Sequence, residues 1–269
     1  MLEHEEYVEQ SFFFESFLER LETGLSTQEI LAGVQGELLS TTRLPMAIDF
    51  LLTDMKLTGG LASAMGRIKH YFTPFQTFVV AETERDGGRF DFRIALRILL
   101  QEAKYREKCP AVQGCFFYQF ETVCRNRLGY DPGLAAISED PIYNDDWRDW
   151  IAILRRQIGW VDLADMIFVR SPLYEKKPEE ESLPTLFGER EGRIAKATRQ
   201  RDPVYLFAAL SRHLGYPSVP RQKRVTGEEN IIPLLQRRIE HLESRTALLE
   251  EEHRGGINLN RFIGPPSEQ

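Results

Sequence analysis

The stretch from Asp91 to Tyr130 does most to limit what this chain can fold into. It carries two amphipathic segments in tandem: Phe92, Ile94, Leu96, Leu99, Leu100 and Ala103, then Phe116, Phe117, Phe120, Val123, Cys124 and Leu128. Most of these residues recur at three- and four-residue intervals, the spacing that gathers side chains on one side of an α-helix. Pro110 separates the two segments, so the pattern predicts a helical hairpin against which the other helices pack.

The flanking chain uses the same grammar. Residues 5–23 predict a first helix, with Phe13, Phe17, Leu18 and Leu21 among its apolar positions and Gly24 as its stop. Ser26-Thr27-Gln28-Glu29 matches a capping box and opens a second helix through Ile30, Val34, Leu38 and Leu39. Pro45 restarts the chain in a third, through Ile48, Phe50, Leu51, Leu52 and Met55, which Gly59-Gly60 ends. Thr73-Pro74 places a cap and an N1 proline ahead of Phe75, Phe78 and Val79, and Gly87-Gly88 breaks the chain before the hub.

Beyond the hub, Leu128-Gly129-Tyr130, Ile158-Gly159-Trp160 and Leu214-Gly215-Tyr216 each predict a helix end. Glycine suits the left-handed closing position, and the aromatic can fold back onto the last turn. Arg125 and Arg127, Arg155 and Arg156, and Arg212 and His213 put positive charge where the helix dipole favours it. Val161 to Val169 reads as another helix because Asp162, Ala164 and Asp165 interrupt any strand pattern.

The expected fold class is therefore all-α. A multi-helix, bundle-like body spans residues 1–172, a charged linker 173–185, a basic helical segment 186–226, a heptad helix 227–254 and a flexible tail 255–269. Hydrophobic residues at 42% and charged residues at 28% are ordinary globular values. The acidic start, Met1 to Glu6, lacks the basic and apolar regions of a secretory signal. No apolar run approaches the roughly 20 residues that span a bilayer. A cytoplasmic protein with no membrane partner is the expectation. Cys109, Cys115 and Cys124 are odd in number and lack C-x-x-C spacing, which fits core thiols better than a metal site. No cofactor is expected.

The clearest pattern not spent on a core lies in the heptad helix. Ile232, Leu235, Ile239, Leu242, Thr246 and Leu249 alternate intervals of three and four. Placed at positions a and d, they put Arg238 and Arg245 at g and Glu243 and Glu250 at e. In a parallel pair each g arginine then faces a glutamate five residues on. Leu234 and Leu248 add a second stripe that suits docking on the body instead. Charge is also polarised along the chain. Residues 190–224 hold nine Lys and Arg against two Asp and Glu, whereas residues 1–60 hold three against eleven. These ends could pair within one molecule or between subunits, or serve as ordinary solvated faces.

Four signals bear on chemistry. Asp145-Asp146-Trp147-Arg148-Asp149 spells D-D-x-x-D and is similar to the aspartate-rich motif of trans-prenyltransferases and terpene synthases, which are all-helical enzymes. The resemblance covers five residues and implies Mg²⁺ held on a diphosphate by Asp145 and Asp149; no complete second motif accompanies it. His70, with Glu82 and Glu84 downstream, is a candidate acid–base pairing or a hydrogen-bonded structural histidine. Leu206 to Ser218 resembles the first helix and turn of a helix-turn-helix, with Arg221, Lys223 and Arg224 behind it; Pro217 and Pro220 oppose a following recognition helix. Together with Arg193, Lys196 and Arg199 these cations make a candidate phosphate-contacting surface. Glu250-x-x-His253 has the spacing of half a di-iron site but occurs once.

The sequence thus reads as a non-enzymatic interaction or scaffold protein, associating with itself or with another helical protein through the C-terminal heptad. A nucleic-acid-associated regulator using 190–224 is the alternative, and a Mg²⁺-dependent diphosphate enzyme the third reading.

Overall fold

A computed structural model describes residues 2–85, 90–174 and 183–221. By contacts the chain divides into two units, Met1–Gln222 and Lys223–Gln269, and every described residue belongs to the first. The heptad residues Ile232, Leu235, Arg238, Ile239, Leu242, Glu243, Arg245, Thr246, Leu249 and Glu250 lie outside the described residues, as do Lys223 and Arg224.

The unit is all-α, with twelve helices and no strand among the described residues. They are α1 (His4–Glu22), α2 (Thr27–Gln35), α3 (Leu44–Thr58), α4 (Leu61–Arg67), α5 (Pro74–Glu84) and α6 (Phe92–Arg106), then α7 (Val112–Asn126), α8 (Tyr130–Ser138), α9 (Asp145–Gln157), α10 (Leu163–Val169), α11 (Glu189–Thr198) and α12 (Pro203–Leu214). None of these helices is long and apolar enough to cross a membrane.

Both hub helices form, but the expected hairpin is not the main contact. α6 packs chiefly along α1, and α7 chiefly on α8 and α12. The reason lies in how much of α6 is apolar. Nine of its fifteen residues are buried, Ala95, Leu96, Ile98 and Ala103 among them, and such a helix must be covered from several directions. α1 runs antiparallel to it: Phe17 meets Phe92 edge to face at 5.7 Å, and Lys104 pairs with Glu15 at 3.1 Å.

α7 supplies the other centre of the core. Phe116 stacks on Phe120 at 5.6 Å and touches Trp150 at 5.0 Å. Trp150 and Trp147 also enclose Phe187, at 5.0 and 5.3 Å. Removing a ring of this kind costs about 3–5 kcal/mol. Phe187 is buried here because the backbone before it is strapped down. Leu186 and Phe187 N–H both donate to Arg170 O, at 3.0 and 3.2 Å, and Gln113 Nε2 donates to Leu186 O at 2.7 Å. Residues 183–221 are thus part of the same unit as the helices before them: α11 packs on α10, and α12 on α7.

Local caps largely follow the sequence. Ser26 and Glu29 form the capping box, and Thr73 with Gln76 forms a second. Gly59 closes α3 in the left-handed region, φ 77°. The three Leu/Ile-Gly-aromatic signals part company. At Leu214-Gly215-Tyr216 the glycine caps α12 at φ 70° and Tyr216 is buried. At α7 the left-handed cap is Arg127, φ 53°, and Gly129 instead precedes α8. At the third, Gly159 is left-handed but Trp160 points away, 91% exposed. Leu39, expected on the core side, is also exposed, and so is Cys109; Cys115 is buried and Cys124 half-buried.

Candidate functional site

Three groups of buried polar side chains converge inside the body. The deepest joins α6, α7 and the turn after α8. Arg106 donates to Glu102 Oε1 through Nε (3.2 Å) and Nη2 (3.0 Å), and Nη2 also binds Asp140 Oδ2. Gln119 Nε2 bridges the same two carboxylates at 2.8 and 3.1 Å, and its Oε1 accepts from Tyr143 O–H at 2.7 Å. The Arg106, Glu102 and Asp140 side chains are no more than 3% exposed.

Burial acts against the Arg106 charge, but Asp140 and Glu102 outweigh it and keep the guanidinium protonated. Glu102 is pushed up from the usual carboxylate range, first by burial and then by Asp140, against the pull of Arg106. Its Oε2 has no hydrogen-bond partner among the described residues, which is where a protonated carboxyl would carry its hydrogen. Burial likewise raises the neighbouring Cys115 thiol to about 12.

A second group lies under α1. Glu6 accepts from Tyr71 O–H at 2.9 Å and from Arg43 N–H at 2.8 Å, and Glu9 accepts from Leu39 N–H at 3.0 Å. The third fixes the end of the described chain. Tyr216 O–H reaches Glu121 Oε2 at 2.8 Å and Phe207 O at 3.0 Å, Tyr105 O–H donates to Leu214 O at 2.9 Å, and Asn126 Nδ2 donates to Pro220 O at 3.0 Å. All three groups satisfy backbone or charge that would otherwise be stranded in the core, so each ties helices together.

The residues singled out for chemistry lie elsewhere. Asp145 and Asp149 face solvent on α9, while Trp147 and Trp150 turn inward; the Asp145 side chain is 95% exposed and pairs with Arg148 at 3.1 Å. Acidic residues here sit in the first turn, where the dipole favours them. The enclosed diphosphate site implied by D-D-x-x-D is therefore corrected to an exposed helix start. Among the described residues no group of three His, Cys, Asp or Glu is placed to hold a metal.

His70 is exposed, and the carboxylates proposed for it are engaged otherwise. Glu82 pairs with Arg85 at 2.7 Å, and Glu84 Oε1 accepts the Leu61 N–H at 2.6 Å, capping α4. Of the basic residues, Arg193 pairs with Glu189, Arg199 pairs with Asp165 and lies 4.3 Å over the Phe168 ring, and Lys196 and Arg221 are exposed. Residues 215–221 form no helix, so nothing in the described chain follows α12 as a recognition helix would.

What sequence reasoning missed is on the surface. Trp160 (91% exposed), Leu57 (80%), Met46 (77%) and Tyr205 (63%) stand in solvent. Trp160 belongs to a tight turn: its own N–H and that of Val161 both donate to Gln157 O, at 2.9 and 3.1 Å. The glycine before it was legible; the direction of the ring was not.

The chain matches no family model, no curated protein and no solved structure.

Proposed function

We propose that this chain is a non-enzymatic, cytoplasmic interaction protein whose helical body carries a self-associating heptad segment, residues 231–254. The observation that carries the reading is the charge pattern around the heptad, with Arg238 and Arg245 at g opposite Glu243 and Glu250 at e. Hydrophobic spacing alone does not require that match. Large apolar side chains standing in water on the body, Trp160 and Leu57 above all, support a protein that meets other proteins. The unpaired thiols Cys109, Cys115 and Cys124 suit a reducing compartment.

Sedimentation of the full chain beside Leu235→Glu/Leu242→Glu tests this reading. The substituted chain is expected to lose a self-association step with its helical circular dichroism largely retained. Equal masses for the two would reject pairing through the heptad.

A further inference from the structure

We propose that two copies of this chain join through the outer face of α3, the two helices lying antiparallel across a two-fold axis. The contact is separate from the heptad and does not depend on it.

α3 is apolar on both sides. Ile48, Leu51 and Met55 are buried, and the helix packs on α1, α2 and α4. On the opposite side Met46 (77%), Phe50 (38%) and Leu57 (80%) stand in solvent, with exposed Thr53 between them. At 3.6 residues per turn these four fall within about 60° of one another, a stripe at intervals of four, three and four. The Thr53 hydroxyl is spent inside the helix, donating to Asp49 O at 3.0 Å. A helix that is apolar all round is one covered on all sides. Here the described body covers only one.

The symmetry of this face chooses a second copy. Intervals of four, three and four read the same in both directions, so an antiparallel α3 meets the stripe in register: Met46 against Leu57 of the other copy, and Phe50 against Thr53. Asp49 and Lys56 lie seven residues apart on one flank of the stripe, both exposed. Among the described residues neither side chain makes an ion pair or hydrogen bond. The helix's other carboxylate, Asp54, is buried on Arg67 at 2.5 Å and does not compete. In the antiparallel pair each Asp49 faces Lys56 of the other copy, twice over by symmetry; laid parallel, the same helices would oppose like charges. The net charge of −7 is not carried here. From Arg43 to Thr58 the chain holds Arg43 and Lys56 against Asp49 and Asp54, and charge farther off is screened over about 8 Å at physiological salt. A foreign helix would need the same reversible spacing and the same order of charges, whereas this chain carries both. A lipid surface would suit the stripe but set Asp49 against phosphates. With about three turns of helix in contact, the interface belongs to the small, reversible class.

The test uses the full chain carrying Leu235→Glu/Leu242→Glu, which removes heptad pairing. Sedimentation equilibrium should show a reversible monomer–dimer step with a Kd of about 100 µM or tighter, and nothing larger, because a two-fold contact closes on itself. Adding Met46→Ser/Leu57→Ser should weaken the dimer by about tenfold or more. Asp49→Lys alone opposes like charges at both ends of the contact, as does Lys56→Asp alone, and each should weaken it by about fivefold or more. Mixed in equal amounts, those two chains should recover the dimer, because each offers the charge that the other lacks. All four positions are exposed, so the denaturation midpoint should not move. The proposal is overturned if the starting chain is monomeric at about 1 mM, if Met46→Ser/Leu57→Ser leaves association unchanged, or if the mixture associates no better than either chain alone. It is also overturned if a chain that stays monomeric binds vesicles of phosphatidylcholine and phosphatidylserine and loses that binding on Met46→Ser/Leu57→Ser. The heptad is tested by comparing the unsubstituted chain with the starting chain, so either contact can fail alone.

Discussion

The surroundings of Arg106 and of Trp160 invert the usual order of a globular protein. An arginine and two carboxylates lie at the centre, sealed from water, while the most exposed large hydrophobic side chain among the described residues is a tryptophan. Each inversion carries a cost that the protein must recover. Around Arg106 it is recovered inside the chain: a guanidinium shared between Glu102 and Asp140, steadied by Gln119, fixes how α6, α7 and the turn after α8 meet. Around Trp160 nothing in the described body recovers it. The lesson is that buried charge here ties the helices to one another, whereas nothing in the described fold requires the exposed aromatics.

This contrast is open to breaking. The largest effect should come from Arg106→Met, which leaves two buried carboxylates without a counter-charge; chemical denaturation should show a loss of about 3–5 kcal/mol. A loss near zero would mean the cluster is looser or wetter than its geometry. Tyr216→Phe removes one hydroxyl that serves both Glu121 and Phe207 O, and should cost about 1–2 kcal/mol by the same measurement.

A smaller, signed effect belongs to Glu102. Its carboxyl is raised in the folded protein, so between the ordinary carboxylate value and that raised value the folded state binds the extra proton. Stability contributed by that proton falls as pH rises through the window and is fully present below it. Denaturation curves taken as pH falls toward the ordinary carboxylate value should therefore show the native chain gaining on Glu102→Gln, whose amide does not titrate. A difference independent of pH would place Glu102 in water. Least of all, Trp160→Ala should move folding stability by no more than about 0.5 kcal/mol. A large loss would make Trp160 part of the fold and erase the comparison.

Much of the helical grammar was written locally. Ser26 with Glu29, Thr73 with Pro74, and Gly59 each act within one turn of their own helix, and each does what its spelling predicts. Where a signal depends on something distant, the spelling is silent. α4 is capped by Glu84 from another helix. Leu128-Gly129-Tyr130 and Leu214-Gly215-Tyr216 look alike, yet Arg127 takes the left-handed position in one and Gly215 in the other. The acidic run at Asp145 had an enzyme's spelling but a helix start's environment. The turn at Trp160 was half legible, its glycine plain and the solvent exposure of its ring hidden.

By itself, then, the sequence determined that the chain is helical and where most helices begin and end, because those choices rest on hydrogen bonds and side chains within four residues of one another. Only the tertiary structure decided that α6 lies on α1, that Arg106 is inside and that Trp160 is outside. Burial depends on what packs opposite a residue, and that neighbour can sit a hundred positions away in the chain.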